Sequence, residues 1–298
     1  AVRGGRIVSV FIDRETRVLV QGITGSEGSY WTKHMIELGT RVVAGCTPGK
    51  GGQQVEGVSV YNTVQQAVEE TRADASVLFV PPRFAHDAVF EALAAGIRKI
   101  VVTAEGIPLH EALAIRAAAL SLGARIMGGN TTGVITPGVA MMGFLPYWIE
   151  RVYKPGRVGV MTRSGSLTNE ATAMMVAAGY GVSTLLGIGG DAVPFTRFVE
   201  MLPAFEADPG TDAVLIIGEL GGTMEEEVAA AIEAGVFTKP LVAFIAGRHA
   251  PEGRKMGHAG AIVSGGKGSV KAKAEALRAA GARVADRPSE IGALFGEP

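Results

Sequence analysis

Short runs of β-branched and aliphatic residues alternate with alanine-rich stretches from about residue 17 onward. Arg17-Val18-Leu19-Val20, Arg41-Val42-Val43-Ala44, Ser76-Val77-Leu78-Phe79-Val80 and Lys99-Ile100-Val101-Val102 read as strands. Helices are expected over His86 to Ala95 and Leu109 to Leu122. This alternation implies βαβ units and a parallel sheet covered on both faces. Arg125-Ile126-Met127 reads as a further strand, followed by turn-rich residues at Gly128 to Gly133 and from Pro137 to Pro155. A new strand at Arg157 to Met161 opens a second unit, so domains are expected over residues 1–129 and 130–298. Its later strands are expected at Thr184 to Gly187, Ala213 to Ile217, Leu241 to Ile245 and Ala261 to Val263.

Glycine-rich turns sit where these strands end. Gly22-Ile23-Thr24-Gly25-Ser26-Glu27-Gly28 follows the first strand and opens a helix, a variant of the dinucleotide fingerprint in which backbone and helix N-terminus meet a phosphate. Tight packing alone also accounts for such glycines. The second strand runs into Gly45-Cys46-Thr47-Pro48-Gly49-Lys50-Gly51-Gly52, with a lysine where an NAD site wants an acid. Lys50 suits a ligand with an extra phosphate on its adenosine ribose, and NADP and coenzyme A both qualify. Val80-Pro81-Pro82 and Thr103-Ala104-Glu105-Gly106 lie at the strand ends where open α/β sheets bind ligands. The two prolines also serve simply to end a strand.

In the second half, Thr162 to Glu170 carries a small-residue loop into a helix reaching Ala178. Its orphan N–H groups favour an anion, while Ser166 or Thr168 also suits an ordinary N-cap. Thr223 with Glu226 fits a capping box. Glu219 stands apart at a strand end, placed to orient an imidazole. That imidazole is offered by Arg254-Lys255-Met256-Gly257-His258-Ala259-Gly260-Ala261-Ile262-Val263-Ser264-Gly265-Gly266-Lys267-Gly268-Ser269. Aligned on Gly266-Lys267 this run fails the Walker A pattern at both ends. A glycine nest holding a histidine reads as a phosphoryl carrier. His34, His86, His110 and His249 lack such a setting.

Composition narrows the classes. A net charge of −1 gives no reason to expect nucleic acid or an anionic membrane as partner. A single cysteine, Cys46, excludes an internal disulfide and fits a reducing compartment. The first ten residues lack the apolar core of a signal peptide, and no apolar run reaches membrane-spanning length. A cytoplasmic protein without a bound metal is expected.

Taken together, several runs resemble the α subunit of succinyl-CoA synthetase (succinate–CoA ligase). They are Gln21 to Gly28, Thr47 to Gly52, Glu105 to Pro108, Arg163 to Thr168, Gly187 to Asp191, Gly218 to Gly222 and Met256 to Ile262. The resemblance implies an α/β fold, with a CoA-binding Rossmann-like domain followed by a flavodoxin-like ligase domain. It implies that His258 is transiently phosphorylated, that Glu219 steadies its ring, and that Ser164, Gly165 and Ser166 cradle the phosphoryl group. Thr24, Gly25, Ser26, Glu27, Lys50, Thr103, Ala104 and Glu105 would contact coenzyme A. A β subunit, in an αβ or α2β2 assembly, would hold the Mg-nucleotide, ADP or GDP. Two departures stand out. Asn169 replaces a usual tyrosine tied to the acyl substrate, and Asn130-Thr131-Thr132-Gly133 replaces Asn-Cys-Pro-Gly. The implied activity is succinate–CoA ligation in the tricarboxylic acid cycle. A malate–CoA ligase, an ADP-forming acetyl-CoA synthetase or a non-catalytic CoA-binding module are the alternatives.

Overall fold

The computed structural model describes residues 10–251, 256–262 and 268–296. Its first half holds β1 (Arg17–Gln21), α1 (Ser26–Leu38), β2 (Arg41–Cys46), β3 (Gln54–Val55), β4 (Val58–Tyr61) and α2 (Val64–Thr71). These are followed by β5 (Ala75–Leu78), α3 (Pro82–Ala94), β6 (Lys99–Val102), α4 (Leu109–Leu122) and β7 (Arg125–Met127). The second half opens with β8 (Gly133–Thr136), β9 (Ala140–Gly143), α5 (Glu150–Tyr153), β10 (Pro155–Thr162), α6 (Gly165–Ala177) and β11 (Val182–Gly187). It continues with α7 (Phe198–Ala207), β12 (Ala213–Glu219), α8 (Met224–Glu233), β13 (Leu241–Ala246), α9 (Val270–Ala279) and β14 (Arg283–Ala285).

The strands make two seven-stranded sheets. The first runs β3-β4-β2-β1-β5-β6-β7 and is parallel apart from β3, which pairs antiparallel with β4. Without β3 this is the Rossmann order, and its direction of winding reverses between β1 and β5. The second sheet runs β14-β13-β12-β10-β11-β8-β9. Its parallel part, β10 to β14, has the flavodoxin-like order and reverses between β10 and β12. The two reversal points open the crevices where such sheets take ligands.

Central strands are buried on both faces, which explains their unbroken apolar runs. All seven residues of β12 are buried. Gly159 of β10 leaves room for Phe205 of α7, since a Cβ there would lie 2.4 Å from its ring. The sheets are joined by main-chain bonds from Gly128 N–H to Ile188 O (3.0 Å) and from Gly190 N–H to Asn130 O (3.0 Å). The loop after β7 is thereby held against the loop after β11.

Several expectations need correction. The turn-rich stretch after Gly133 contains the hairpin β8–β9, whose antiparallel pairing adds an edge to the second sheet. All four residues of β9 are buried, so no polar alternation advertises it. Ala261 and Ile262 are not in a strand; Val263, the end of that expected strand, lies outside the described residues. So do Arg254, Lys255 and Ser264 to Lys267. The Thr223–Glu226 capping box does not form: the Thr223 hydroxyl donates to Glu227 instead (2.9 Å), and Glu226 lies 3.1 Å from Lys273 Nζ. Helix α3 starts at Pro82, where the missing N–H costs nothing.

Candidate active site

Glu219 ends β12, and Arg163 directly follows β10, so the reversal point of the second sheet puts a carboxylate beside a guanidinium. Arg163 Nη1 lies 3.0 Å from Glu219 Oε1. That contact is an ion pair without an aligned hydrogen bond. Arg163 is itself fixed, with Nε donating to Gly189 O (3.3 Å) and Nη2 to Asp191 O (3.0 Å). The other Glu219 oxygen, Oε2, lies 2.6 Å from His258 Nδ1. An ionised carboxylate only accepts. Nδ1 therefore carries the proton, and Nε2 keeps the lone pair when the ring is neutral.

The hydrogen bond that Glu219 accepts is the main influence on His258 and holds its pKa above the usual histidine range, against burial and the Arg163 charge. Glu105, from the loop after β6, adds negative potential at the same ring. Asp191 stands close by. Burial pushes its pKa up, against hydrogen bonds from the Gly106 and Ile107 amides. Glycines supply the space. A Cβ on Gly190 would lie 2.8 Å from His258 Nε2, and one on Gly260 would lie 2.8 Å from Arg163 Nη2.

Helix α6 begins beside this cluster. Its cap is Ser164, whose side chain accepts from Leu167 N–H (3.4 Å); neither Ser166 nor Thr168, the expected caps, serves. Thr162 Oγ1 stiffens the turn by accepting from Ser164 N–H (3.2 Å) and from the Thr168 hydroxyl (2.8 Å). The amides of Gly165 and Ser166 have no intrahelical acceptor and remain for an anion. Gly165 also lets the loop after β7 approach, because a Cβ would sit 2.4 Å from the Thr132 methyl carbon. Asn169, one turn on, accepts from the Tyr153 hydroxyl of α5 at 2.8 Å.

The reversal point of the first sheet carries two cavities. One, of about 580 Å³, is lined by Thr24, Gly25, Thr47, Pro48, Val80 and Phe84 among others. The second, of about 390 Å³, adds Ser26, Glu27, Thr103 and Phe144. Gly25, Phe79, Val80 and Pro81 are shared by the two. The shape follows from Gly22 and Gly28: Gly22 has φ +77°, and a Cβ on Gly28 would meet Gly22 O at 2.2 Å. Thr24 and Thr47 join the two loops through their hydroxyls (3.2 Å). Cys46 lines the larger cavity as a neutral thiol, pushed up to about 12 by burial.

Three expected CoA contacts do not line these cavities. Lys50 is exposed on the Thr47–Gly52 turn beyond the rim. Ala104 is buried and accepts from Asn130 N–H (2.7 Å). Glu105 adds negative potential at His258 and Asp191. Arg163 is the residue the sequence reading missed as a site member. Its signal was available: a cation directly after a central strand, next to a helix cap.

Among the described residues, no helix is long and apolar enough to cross a membrane, and no group of His, Cys, Asp and Glu is arranged to hold a metal ion.

Comparison with known proteins agrees with this layout. Residues 13–106 match the family described as CoA binding domain, and residues 161–283 match the CoA-ligase family. The chain is 64% identical to the ADP-forming sulfoacetate-CoA ligase subunit SauD of Bilophila wadsworthia, over 97% of this chain and 98% of that one. It is 49% identical to the ADP-forming succinate–CoA ligase subunit alpha of Methanothermobacter thermautotrophicus, over 95% of each chain. Among solved structures, ATP citrate lyase from Methanothrix soehngenii, in complex with citrate and coenzyme A, superposes with a TM-score of 0.87 at 28% identity. That match covers 95% of this chain and 49% of the lyase chain. The chain belongs to the family of succinate–CoA ligase α subunits and ADP-forming sulfoacetate–CoA ligase subunits, and is an α-type subunit of an acid–CoA ligase.

Proposed function

We propose that this chain works with a β-type subunit as an ADP-forming ligase that joins sulfoacetate to coenzyme A through phosphorylated His258. The observation that carries the chemistry is the bond from His258 Nδ1 to Glu219, which leaves Nε2 as the nucleophile. Nε2 attacks the terminal phosphorus of the nucleotide on the partner subunit, and the diphosphate leaves. Glu219 holds the ring and balances its positive charge. The N–H groups of Gly165 and Ser166, with the Ser164 hydroxyl, receive the phosphoryl oxygens. A carboxylate oxygen of the acid then takes the phosphoryl group as the P–N bond breaks, and the thiolate of coenzyme A displaces phosphate from the acyl carbon.

Coenzyme A fits the first-sheet cavities, where Thr24, Gly25, Ser26, Glu27 and Thr103 surround a cleft that opens on unpaired helix amides. Lys50, on the exposed rim, is assigned to the ribose 3′-phosphate of coenzyme A. Replacing it with alanine should weaken CoA by roughly five-fold, the scale of one screened charge contact, and leave dephospho-CoA unchanged. Equal losses for both, read by calorimetry, would remove Lys50 from that role. The unit that binds CoA is assigned to residues 1–129 and the phosphoryl-transfer unit to 130–298.

Sulfoacetate is preferred over succinate because the relatives at 64% and 66% identity are named for it, whereas the succinate ligases match at about 49%. Asn169 supports an anionic substrate. Its Oδ1 accepts from the Tyr153 hydroxyl, and its amide N–H groups are the donors it can offer an acid. Succinate stays the second reading, favoured by the shared motif runs. With the reconstituted pair, kcat/KM for sulfoacetate should exceed that for succinate by roughly 10–100-fold, the range over which one pocket separates close analogues. Equal values, or a preference for succinate, would return the chain to the second reading.

A further inference from the structure

Helix α9 carries a lysine where its buried face calls for an apolar residue. Lys273 lies between the buried Val270, Ala274 and Leu277 and is itself 0% exposed. Its ammonium contacts Glu225 Oε2 and lies 3.1 Å from Glu226 Oε2. Glu225, in the first turn of α8, is 1% exposed. Exchanging a buried ion pair for apolar residues is often neutral or stabilising, so stability alone does not explain this one. Its geometry suggests a different role. Glu225 Oε1 accepts the main-chain N–H of Glu219 at 3.2 Å. Gly218 makes room for that carboxylate, since a Cβ there would lie 2.2 Å from Oε1.

The same cluster governs where the histidine loop returns. Gly268, just before α9, accepts from Gly221 N–H at 2.8 Å. A Cβ on Gly221 would lie 2.4 Å from Gly260 O, so the main chain beside His258 packs directly on this turn. Lys273 therefore ties α9 to the segment that presents Glu219.

We propose that Lys273 and Glu225 are positioning residues that set the Glu219 carboxylate against His258. The ion pair orients Glu225, Glu225 fixes the Glu219 main chain, and Glu219 fixes the imidazole. This goes beyond the phosphoryl-transfer reading but draws its catalytic consequence from it.

The test uses the full chain, with Lys273→Met, Glu225→Leu and Glu225→Gln. Two measurements are made: the NMR titration midpoint of the His258 ring without ligands, and the rate of His258 phosphorylation from ATP with the partner subunit. Among the described residues, the charged groups acting on that ring are Glu219, Arg163, Glu105 and Asp191, and of these only the first is displaced by these changes. Lys273→Met and Glu225→Leu should lower the midpoint and slow phosphorylation about ten-fold or more, as for outer partners that orient a ligating group. Glu225→Gln, which keeps one acceptor oxygen for the Glu219 N–H but loses the carboxylate that pairs with Lys273, should fall between the parent and Glu225→Leu. CoA affinity, a property of the other sheet, should hold within about two-fold in all three. If single charge removal unfolds the chain, the apolar double variant Lys273→Met with Glu225→Leu restores folding without the acceptor, and should show the same lowered midpoint. An unmoved midpoint, a Glu225→Gln variant as impaired as Glu225→Leu, or a parallel fall in CoA affinity would overturn the proposal. The midpoint needs no phosphoryl transfer, so it tests the coupling even if His258 is never phosphorylated.

Discussion

Replacing His258 with asparagine should lower CoA-thioester formation by about 10⁴-fold or more, the scale on which loss of a covalent nucleophile acts. Asparagine keeps a polar group near Glu219 but has no nitrogen lone pair able to attack phosphorus. CoA binding should survive, because the cavities around Thr24 and Gly25 belong to the other sheet. A steady-state assay with the partner subunit, paired with calorimetry for CoA, reads both. Residual turnover within about ten-fold of the parent would mean that the acid is activated directly at the nucleotide.

Glu219→Gln should have the second-largest effect, slowing phosphorylation of His258 by roughly 10²–10⁴-fold, as when a histidine loses the carboxylate that fixes its tautomer. The pH dependence gives a separate signature. Glu219 raises the His258 pKa above its ordinary value. Stability from the charged pair is therefore complete below the ordinary histidine value of about 6.5 and fades as pH rises through the higher folded value. Nucleophilic attack needs the unprotonated Nε2, so the acidic limb of the rate profile should lie above the ordinary histidine range. In Glu219→Gln that limb should move down while the plateau falls. A limb that stays in place would assign the shift to another group, with Glu105 the nearest candidate.

The parallel framework was legible because alternation of β-branched runs and alanine-rich helices encodes βαβ units directly. Both reversal points were legible in part, since Gly22 to Gly28 and Thr162 to Ser166 are turns that only a strand–helix junction needs. The pairing of His258 with Glu219 spans 39 residues; it was reachable because each sits in a glycine-rich turn. Arg163 was harder to assign, because a cation between a strand and a helix cap also suits a residue facing water, whereas the folded sheet buries it against Glu219. Lys273 was hidden for the same reason. Its helical position marks it as inward, but nothing local names the carboxylates on α8 that accept it. The β8–β9 hairpin escaped because its short strands are stabilised by neighbours in the sheet and carry no period of their own. Glu105 was harder to assign, because two crevices lie near the end of β6 and strand-end position alone does not say which one it faces.

The most direct measurement follows the phosphoryl group itself. The reconstituted pair is charged with ATP labelled in its terminal phosphate, freed of nucleotide, and then given the acid, coenzyme A, or both. The label should appear on His258, be acid-labile and base-stable, and leave as inorganic phosphate at the turnover rate only when both are present. Label that never appears on His258 while thioester still forms, or that stays on His258 while thioester accumulates, would remove the phosphohistidine from the reaction.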